Sequence, residues 1–436
     1  MASRPGGRVL AVYGAGALGA SVLLQTILLW LVYFYAPPAG QGVTRLAPVL
    51  VGLALAAGRI VNAISNPPIA YWSDRLRTRW GRRRPFIAAG APALAACFAL
   101  LWLPPVGAAG LVYTYTALTL AGFFFFFSLV MNPYAAMLPE ITPGGAGRAA
   151  AASWQAGASL GGVGIAMIAS PWLIVRWGFG AMGAALAAFA LVCLWTVGAG
   201  VRPAVETAAS PHRPFISEIA GVLRDRAFSI YLLTLALLWL GTSMVNTTVV
   251  YVVTVLMGLP RGQVPVVLGA AFVCTAAAFG PLARVARTAG TARALMWTLG
   301  ATSVVVPLIG TIGLRGMPFT PPLQGYALVI LAAVPLAGLL VLPNVLLADI
   351  AEADGAATGE RREAMFYAVQ GLALNAATAV ASALLGALLT LGYSAGHALG
   401  LRLIPAVAGA CTLLALLAFR SYPRGAAAAP RDAPSR

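Results

Sequence analysis

Residues 62–86 read NAISNPPIAYWSDRLRTRWGRRRPF. An apolar run enters from the left carrying three polar side chains, Asn62, Ser65 and Asn66, and then the pair Pro67-Pro68. It ends at Ser73-Asp74. Six arginines follow within ten residues (Arg75, Arg77, Arg79, Arg82, Arg83, Arg84), and Pro85 opens the next apolar run. That is the pattern of one membrane helix ending, a short inner loop, and a second membrane helix starting.

The composition of the whole chain agrees. Of 436 residues, 60% are hydrophobic and only 9% charged, against about 25% charged for an ordinary soluble domain. A water-soluble fold of this size could not cover itself with so little charge, so the expectation is an all-α polytopic membrane protein. The formal charge is +17 and every basic residue is arginine. Basic residues of membrane proteins collect in cytoplasmic loops, which accounts for the charge without nucleic acid as a partner. Cys97, Cys193, Cys274 and Cys411 are far apart in apolar runs, without metal-ligand spacing. The first apolar run follows Arg4 and Arg8 and continues to Tyr35, long enough to be a retained spanning helix.

Twelve stretches meet the requirement of about 20 mostly apolar residues. They are Leu10–Tyr35, Leu46–Trp72, Pro85–Leu103, Gly110–Leu138, Ala149–Val175, Phe179–Val201, Phe228–Met257, Val264–Ala283, Ala292–Leu314, Leu323–Leu347, Ala364–Leu391 and His397–Phe419. With the N-terminus inside, 22 arginines fall in inner segments and 5 in outer ones, so both termini are expected in the cytoplasm. The most polar connection, Arg202–Arg226, divides the chain into residues 1–201, a central loop 202–226, residues 227–420 and a tail 421–436. The inner loop after the second span has a weak echo after the eighth, GPLARVARTAG at 280–290. Two six-helix halves with matching inner loops suggest the parallel repeat of the major facilitator fold, with a substrate site between the halves near the midplane.

Two long motifs carry a more specific resemblance. WSDRLRTRWGRRRPF (72–86) and ADIAEADGAATGERREAMFYAVQ (348–370) resemble the inner loops of the glycoside–pentoside–hexuronide:cation symporters, the melibiose-permease-like family, to which sucrose-type carriers are related. YGAGALG at the start of the first span and Asn132-Pro133 in the fourth fit the same pattern. The resemblance implies alternating access and uptake of a sugar, with Na+ or H+ as coupling ion, by a multi-pass protein of the plasma membrane. The family's ionisable groups, however, are replaced. The cation ligands of its second helix match Asn62, Ser65 and Asn66 here. Its sugar-binding acids of the first and fourth helices match Ser21 and Met131, and a lysine of the eleventh matches Asn375.

Asn62, Ser65 and Asn66 are spaced to share one helix face. Pro67 and Pro68 leave the carbonyls of Ala63 and Ile64 without helical donors. Such oxygens suit a hard cation, but without a carboxylate the site would be weak; the other reading is a polar patch pinning a proline-broken helix. The eleven acids all fall in or beside inner segments, so a proton relay within the membrane lacks a titratable group. Arg59, one turn before Asn62, is the one charge within a span. It either hydrogen-bonds to carbonyls and Asn side chains or meets an anionic group of a substrate.

Neutral polar and aromatic side chains that could line a sugar cavity are Gln25, Thr26, Asn132, Trp154, Gln155, Ser243, Asn246, Tyr251, Asn344, Gln370 and Asn375. For each of them the alternative is an ordinary interhelical hydrogen bond. Asp74, with Arg75, Arg82 and Arg83, and its candidate partners Glu140 and Arg148, reads as an inner gate; the loop Asp349–Glu363, with Asp349 and Arg361, is its counterpart in the second half. Three motif matches carry no function: GAGALG opens a membrane helix with no strand before it, Asn246-Thr247-Thr248 is a sequon inside a span, and Phe123–Phe127 reads as lipid-facing or packed apolar surface. The expectation is a monomeric carrier of a small solute, a sugar or glycoside, without enzymatic activity. The alternatives are a carrier of an amphipathic or anionic solute, or a non-transporting sensor on the same fold.

Overall fold

The computed structural model describes residues 7–76, 78–141, 145–200, 221–314, 316, 319–358 and 363–423. The chain is all helical. The first half comprises α1 (Gly7–Tyr35), α2 (Pro48–Arg75), α3 (Arg84–Leu100), α4 (Ala109–Ala136), the single turn α5 (Leu138–Ile141) and α6 (Gly145–Gly200). The second half comprises α7 (Arg226–Tyr251), α8 (Val264–Ala289), α9 (Thr291–Leu308), α10 (Pro321–Thr358), α11 (Glu363–Leu389) and α12 (Leu399–Phe419). Ten of these helices are long and apolar enough to cross a membrane, and α3 is a shorter apolar one. α6 holds two spans in one trace, broken at Gly178, whose φ of 83° only glycine adopts readily. The twelve expected spans are therefore all present.

Two local expectations are corrected. The pair Pro67-Pro68 does not break α2, which runs through both prolines. Neighbouring helices stabilise it instead, as is usual in membrane proteins. Ser128 of α4 donates to the Asn62 carbonyl at 3.4 Å and Asn132 to the Asn66 carbonyl at 3.4 Å. The expected loop beginning at Asp349 is helical for its first ten residues, because α10 extends to Thr358. Its Ala-rich sequence favours a helix projecting beyond the apolar span. Of the two readings of the phenylalanine run, Phe123 and Phe124 follow the packed one, both being fully buried.

Arginine does more here than set topology. Arg84 donates to the last carbonyls of α6, at Gly198 (2.5 Å) and Ala199 (2.9 Å). Arg402 does the same for Gly310 (2.6 Å) and Ile312 (2.9 Å) after α9. Arg45 bonds the Phe34 carbonyl at the end of α1 and lies 4.1 Å over the Phe34 ring. Each satisfies carbonyls that a helix end leaves open.

The buried core shows how the halves meet. One cluster joins α1–α4 and α6 to the outer parts of α7, α8, α11 and α12, including Met244, Val250, Leu268, Leu385 and Ile404. The ends of α7–α12 nearest the arginine-rich face form a separate cluster around Phe228, Tyr231, Leu347 and Phe366. The halves thus share a core at one face and have separate cores at the other.

Candidate functional site

The seam between the halves is closed at the face opposite the arginines. A Cβ on Gly52 of α2 would overlap the Ser382 carbonyl oxygen of α11, and one on Gly386 would lie 2.8 Å from the Pro48 carbonyl oxygen. The two backbones touch, which only glycine permits. A Cβ on Gly164 of α6 would lie 3.3 Å from the Phe272 ring of α8. Above these contacts the Tyr251 hydroxyl donates to the Ala36 carbonyl at 2.6 Å. Arg261 donates to the Tyr33 hydroxyl at 3.0 Å, and Tyr33 in turn bonds Gln41. The rings of Tyr33, Tyr251 and Tyr393 stack edge to face.

The same helical stripes part toward the arginine-rich face. Gly157 lies seven residues before Gly164, two turns along the same side of α6, and Gly371 lies eleven before Ser382 on α11. A Cβ on either would meet nothing within 4 Å. The molecule is a wedge, shut at the outer end and open at the inner.

At the apex of that wedge polar groups stand among apolar ones. Gln25 of α1, 7% exposed, donates to the Asn246 side-chain oxygen of α7 at 3.3 Å, a hydrogen bond between amide side chains that joins the two halves. Beside it lies a pocket of about 10 Å3, lined by Leu28, Leu55 and Arg59 from the first half and by Ser243, Thr247, Thr378 and Ser382 from the second. That is room for about one water molecule. The guanidinium of Arg59 lies 4.6 Å over the ring of Phe124. The phenylalanine run therefore contributes a platform for Arg59 that was not legible from composition.

A second polar group lies one turn inward on α2. Asn66 donates to the Asn62 side-chain oxygen at 3.2 Å, and Asn132 donates to the Asn66 side-chain oxygen at 3.0 Å. Ser65 is buried alongside. Each of the two Asn side-chain oxygens accepts one hydrogen bond, as a patch that pins α2 to α4 would.

The remaining expected site residues divide by position. Tyr251 belongs to the outer closure rather than the cavity, because it is the last residue of α7 and its hydroxyl meets the Ala36 carbonyl beyond the end of α1. Gln370 is buried and donates to the Tyr231 hydroxyl at 3.1 Å, which donates to the Pro343 carbonyl at 3.0 Å. This ties α11, α7 and α10 within the second half. Asn344 and Asn375 bond carbonyls one turn back on their own helices, at 3.2 and 3.0 Å. Trp154 is exposed and Gln155 partly so, on the turn of α6 next to the Gly14–Ala158 crossing with α1.

Of the gate residues, Arg75 folds back over the Tyr71 ring at 3.8 Å, and Arg83 is buried. Arg82 and Asp349 are partly buried, Asp349 on the projecting end of α10. Arg361 and the side chains of Asp74, Glu140 and Arg148 lie outside the described residues. Beyond the span of α12, burial beside Asp225 and Asp349 pushes the Tyr422 phenol up to about 12. The residues that sequence reasoning missed are Tyr33, Gln41 and Arg261 of the outer closure and Thr378 and Ser382 of the pocket.

The comparisons agree with this architecture. The nucleoside transporter NupG has a crystal structure that matches with a TM-score of 0.67 at 10% identity, covering 95% of this chain and 98% of that one. At that identity it shows the fold alone. The inner membrane symporter YicJ of Escherichia coli is 30% identical over 152 residues, 33% of this chain and 30% of that protein. The isoprimeverose transporter of Lactiplantibacillus pentosus is 24% identical over 250 residues, 55% of this chain and 51% of that protein. The matched part is thus about half the length of these relatives or less. The MFS/sugar transport protein family matches residues 12–423. The chain, a multi-pass membrane protein by its helices, belongs to that family.

Proposed function

We propose that the protein carries a small solute, a sugar or glycoside, across the membrane by alternating access. The observation that supports this most is the polar apex. The layer joining the halves where the open wedge ends includes two amides, a guanidinium and hydroxyls among apolar side chains. Sugars need several neutral donors and acceptors, and amide side chains supply both. A solute entering the wedge meets Gln25 and Asn246 and can exchange their mutual bond for its own hydroxyls. That exchange links occupancy to the seam between the halves.

The arginine-rich loops act as the opposite gate. When the inner ends close, Asp74, Arg75, Arg82, Arg83, Glu140 and Arg148 pair in the first half, and Asp349 and Arg361 in the second. Cation coupling is not obligatory, because the polar patch of α2 is neutral and internally hydrogen-bonded. Counterflow of labelled sugars in proteoliposomes tests the carrier. Exchange is expected without an imposed ion gradient. Exchange that collapses whenever the pH gradient or sodium is removed overturns the coupling statement, and binding without exchange overturns the carrier in favour of a sensor.

A further inference from the structure

A second cavity lies at the outer closure, on the far side of the seam from the wedge. It measures about 390 Å3 and is lined by Gly40 and Gln41 from the loop after α1 and by Leu259, Pro260 and Arg261 from the connection between α7 and α8. Both walls are fixed locally. The Gln41 N–H donates to the Pro38 carbonyl at 3.0 Å and the Gln263 N–H to the Pro260 carbonyl at 2.9 Å, each closing a tight turn. The first-half loop is fastened elsewhere as well, where the Ala39 N–H donates to the Ser394 hydroxyl at 3.1 Å. The site is therefore largely formed before anything enters it.

A buried hydroxyl sets the polarity of this cavity. Tyr33 is 1% exposed. Arginine only donates, so the Tyr33 hydroxyl accepts from Arg261 Nε at 3.0 Å and gives its own proton to Gln41 Oε1. With its oxygen turned in to Tyr33, the Gln41 amide has its NH2 as the outer branch. With Nε turned in to the same hydroxyl, the Arg261 guanidinium has Nη1 and Nη2 as its remaining donors. The other lining side chains, Leu259 and Pro260, are apolar. The polar wall thus presents N–H groups and a positive charge, converging from the two halves on one hydroxyl. By sequence position no acid answers that charge. All eleven acids fall in or beside inner segments, whereas the outer ones hold Arg45, Arg176, Arg261, Arg315 and Arg402. Fixed charge of one sign raises the local concentration of ions of the other.

We propose that this outer cavity binds an oxyanion of the phosphate or sulfate class, held by the terminal nitrogens of Arg261 and the amide nitrogen of Gln41. A guanidinium pairs with two oxygens of such an ion through parallel hydrogen bonds, and a further oxygen is left for the amide. The volume, at the small end of the range for small-molecule sites, leaves room for water around the ion. Gln41 belongs to the first half and Arg261 to the second, so the ion joins the halves while the outer seam is shut and loses one partner when they separate. A ligand with such a preference shifts the population toward the state it binds. On the carrier reading above, which this consequence alone requires, an oxyanion on the outer side holds the protein in the wedge-shaped state and slows reopening of the outer face. Free oxyanions and the phosphate of a lipid headgroup share this chemistry.

The test uses the full chain in maltoside micelles. Binding of radiolabelled inorganic phosphate is measured by equilibrium dialysis, with sulfate and chloride as competitors at equal ionic strength. Saturable binding is expected, with sulfate competing at least about tenfold better than chloride, the scale of a hydrogen bond to a charged group. Arg261→Gln is expected to weaken phosphate binding by about tenfold or more, and Arg261→Lys to retain part of it. The wild-type measurement needs no variant, so a variant that fails to fold does not shield the idea. Absence of saturable binding, chloride competing as well as sulfate, or binding that survives Arg261→Gln in folded protein overturns it. Phosphatidylglycerol added to the same micelles separates the sources: displacement of the labelled phosphate assigns the site to a headgroup, undiminished binding assigns it to a free ion, and both support an oxyanion site. In proteoliposomes of one orientation, phosphate on the outer side alone is expected to slow counterflow, and phosphate on the inner side alone to leave it unchanged. Equal slowing from both sides overturns the outer placement, and bound phosphate that leaves counterflow untouched overturns its preference for the shut seam. A protein that binds phosphate yet exchanges no solute keeps the site and removes the carrier.

Discussion

The two ends of the seam between the halves are built from the same helices by opposite means. At the outer end, Gly52 and Gly386 bring the backbones of α2 and α11 into contact, and three tyrosines with Arg261 lie over that contact. At the inner end the same stripes carry Gly157 and Gly371 with open space beside them. Contact through glycine backbone has no rotamers to lose and no side chain to adapt. It forms fully or not at all, which suits a gate with two states. The inner loops have long arginine side chains, which can hold partners across several ångströms.

The comparison breaks most readily at Gly52. Gly52→Leu places a branched side chain against the α11 backbone, and overpacking of this kind costs about 1–3 kcal/mol. The closed outer state should lose about tenfold or more in population. A cysteine placed at Ser243 should then react at least about tenfold faster with an impermeant thiol reagent added from the outer side. No change in that rate would mean the seam is not the gate. Tyr251→Phe is the next largest. It removes the hydroxyl bond to the Ala36 carbonyl, worth about 1 kcal/mol, so the same labelling should rise roughly fivefold. Gly371→Leu should be the mildest in the wedge-shaped state, changing thermal stability by less than about 0.5 kcal/mol, as an uncrowded position does. It should nevertheless slow counterflow, because the inner stripe must close once per cycle. If Gly371→Leu destabilised the protein as much as Gly52→Leu, the two ends would not differ in packing.

Much of the fold was legible in the sequence for a simple reason. Apolar length and arginine placement are properties of single segments, and both are read without knowing which helix touches which. The spans on either side of Gly178 were separable because a turn residue stands between them. Pairing across the bundle is a different matter. These helices are apolar nearly all round, so periodicity does not say which side faces a partner. Gln25 and Asn246 stood out because amides are rare in such surroundings, and their spacing of 221 residues gave no sign that they meet. Thr378 and Ser382 looked like ordinary helix residues, and their role at Arg59 follows from α11 crossing α2. Tyr251 differs from its expected place in the cavity because its partner, the Ala36 carbonyl, lies 215 residues away in the other half. Gln370 was right as a buried polar group and wrong as a cavity residue, since its partner Tyr231 lies within its own half.

Gly178 carries a consequence for how motion is transmitted. One residue, at φ 83°, is the entire connection between the two arms of α6. Gly290, at φ 87°, is likewise the whole link between α8 and α9. Such joints have no slack, so displacement of one arm is imposed on its neighbour. Spin labels on the two arms of α6, close to Gly178, would keep a constant separation through the cycle, while labels on α2 and α11 would not. The two arms of α6, and α8 with α9, thus move as coupled pairs.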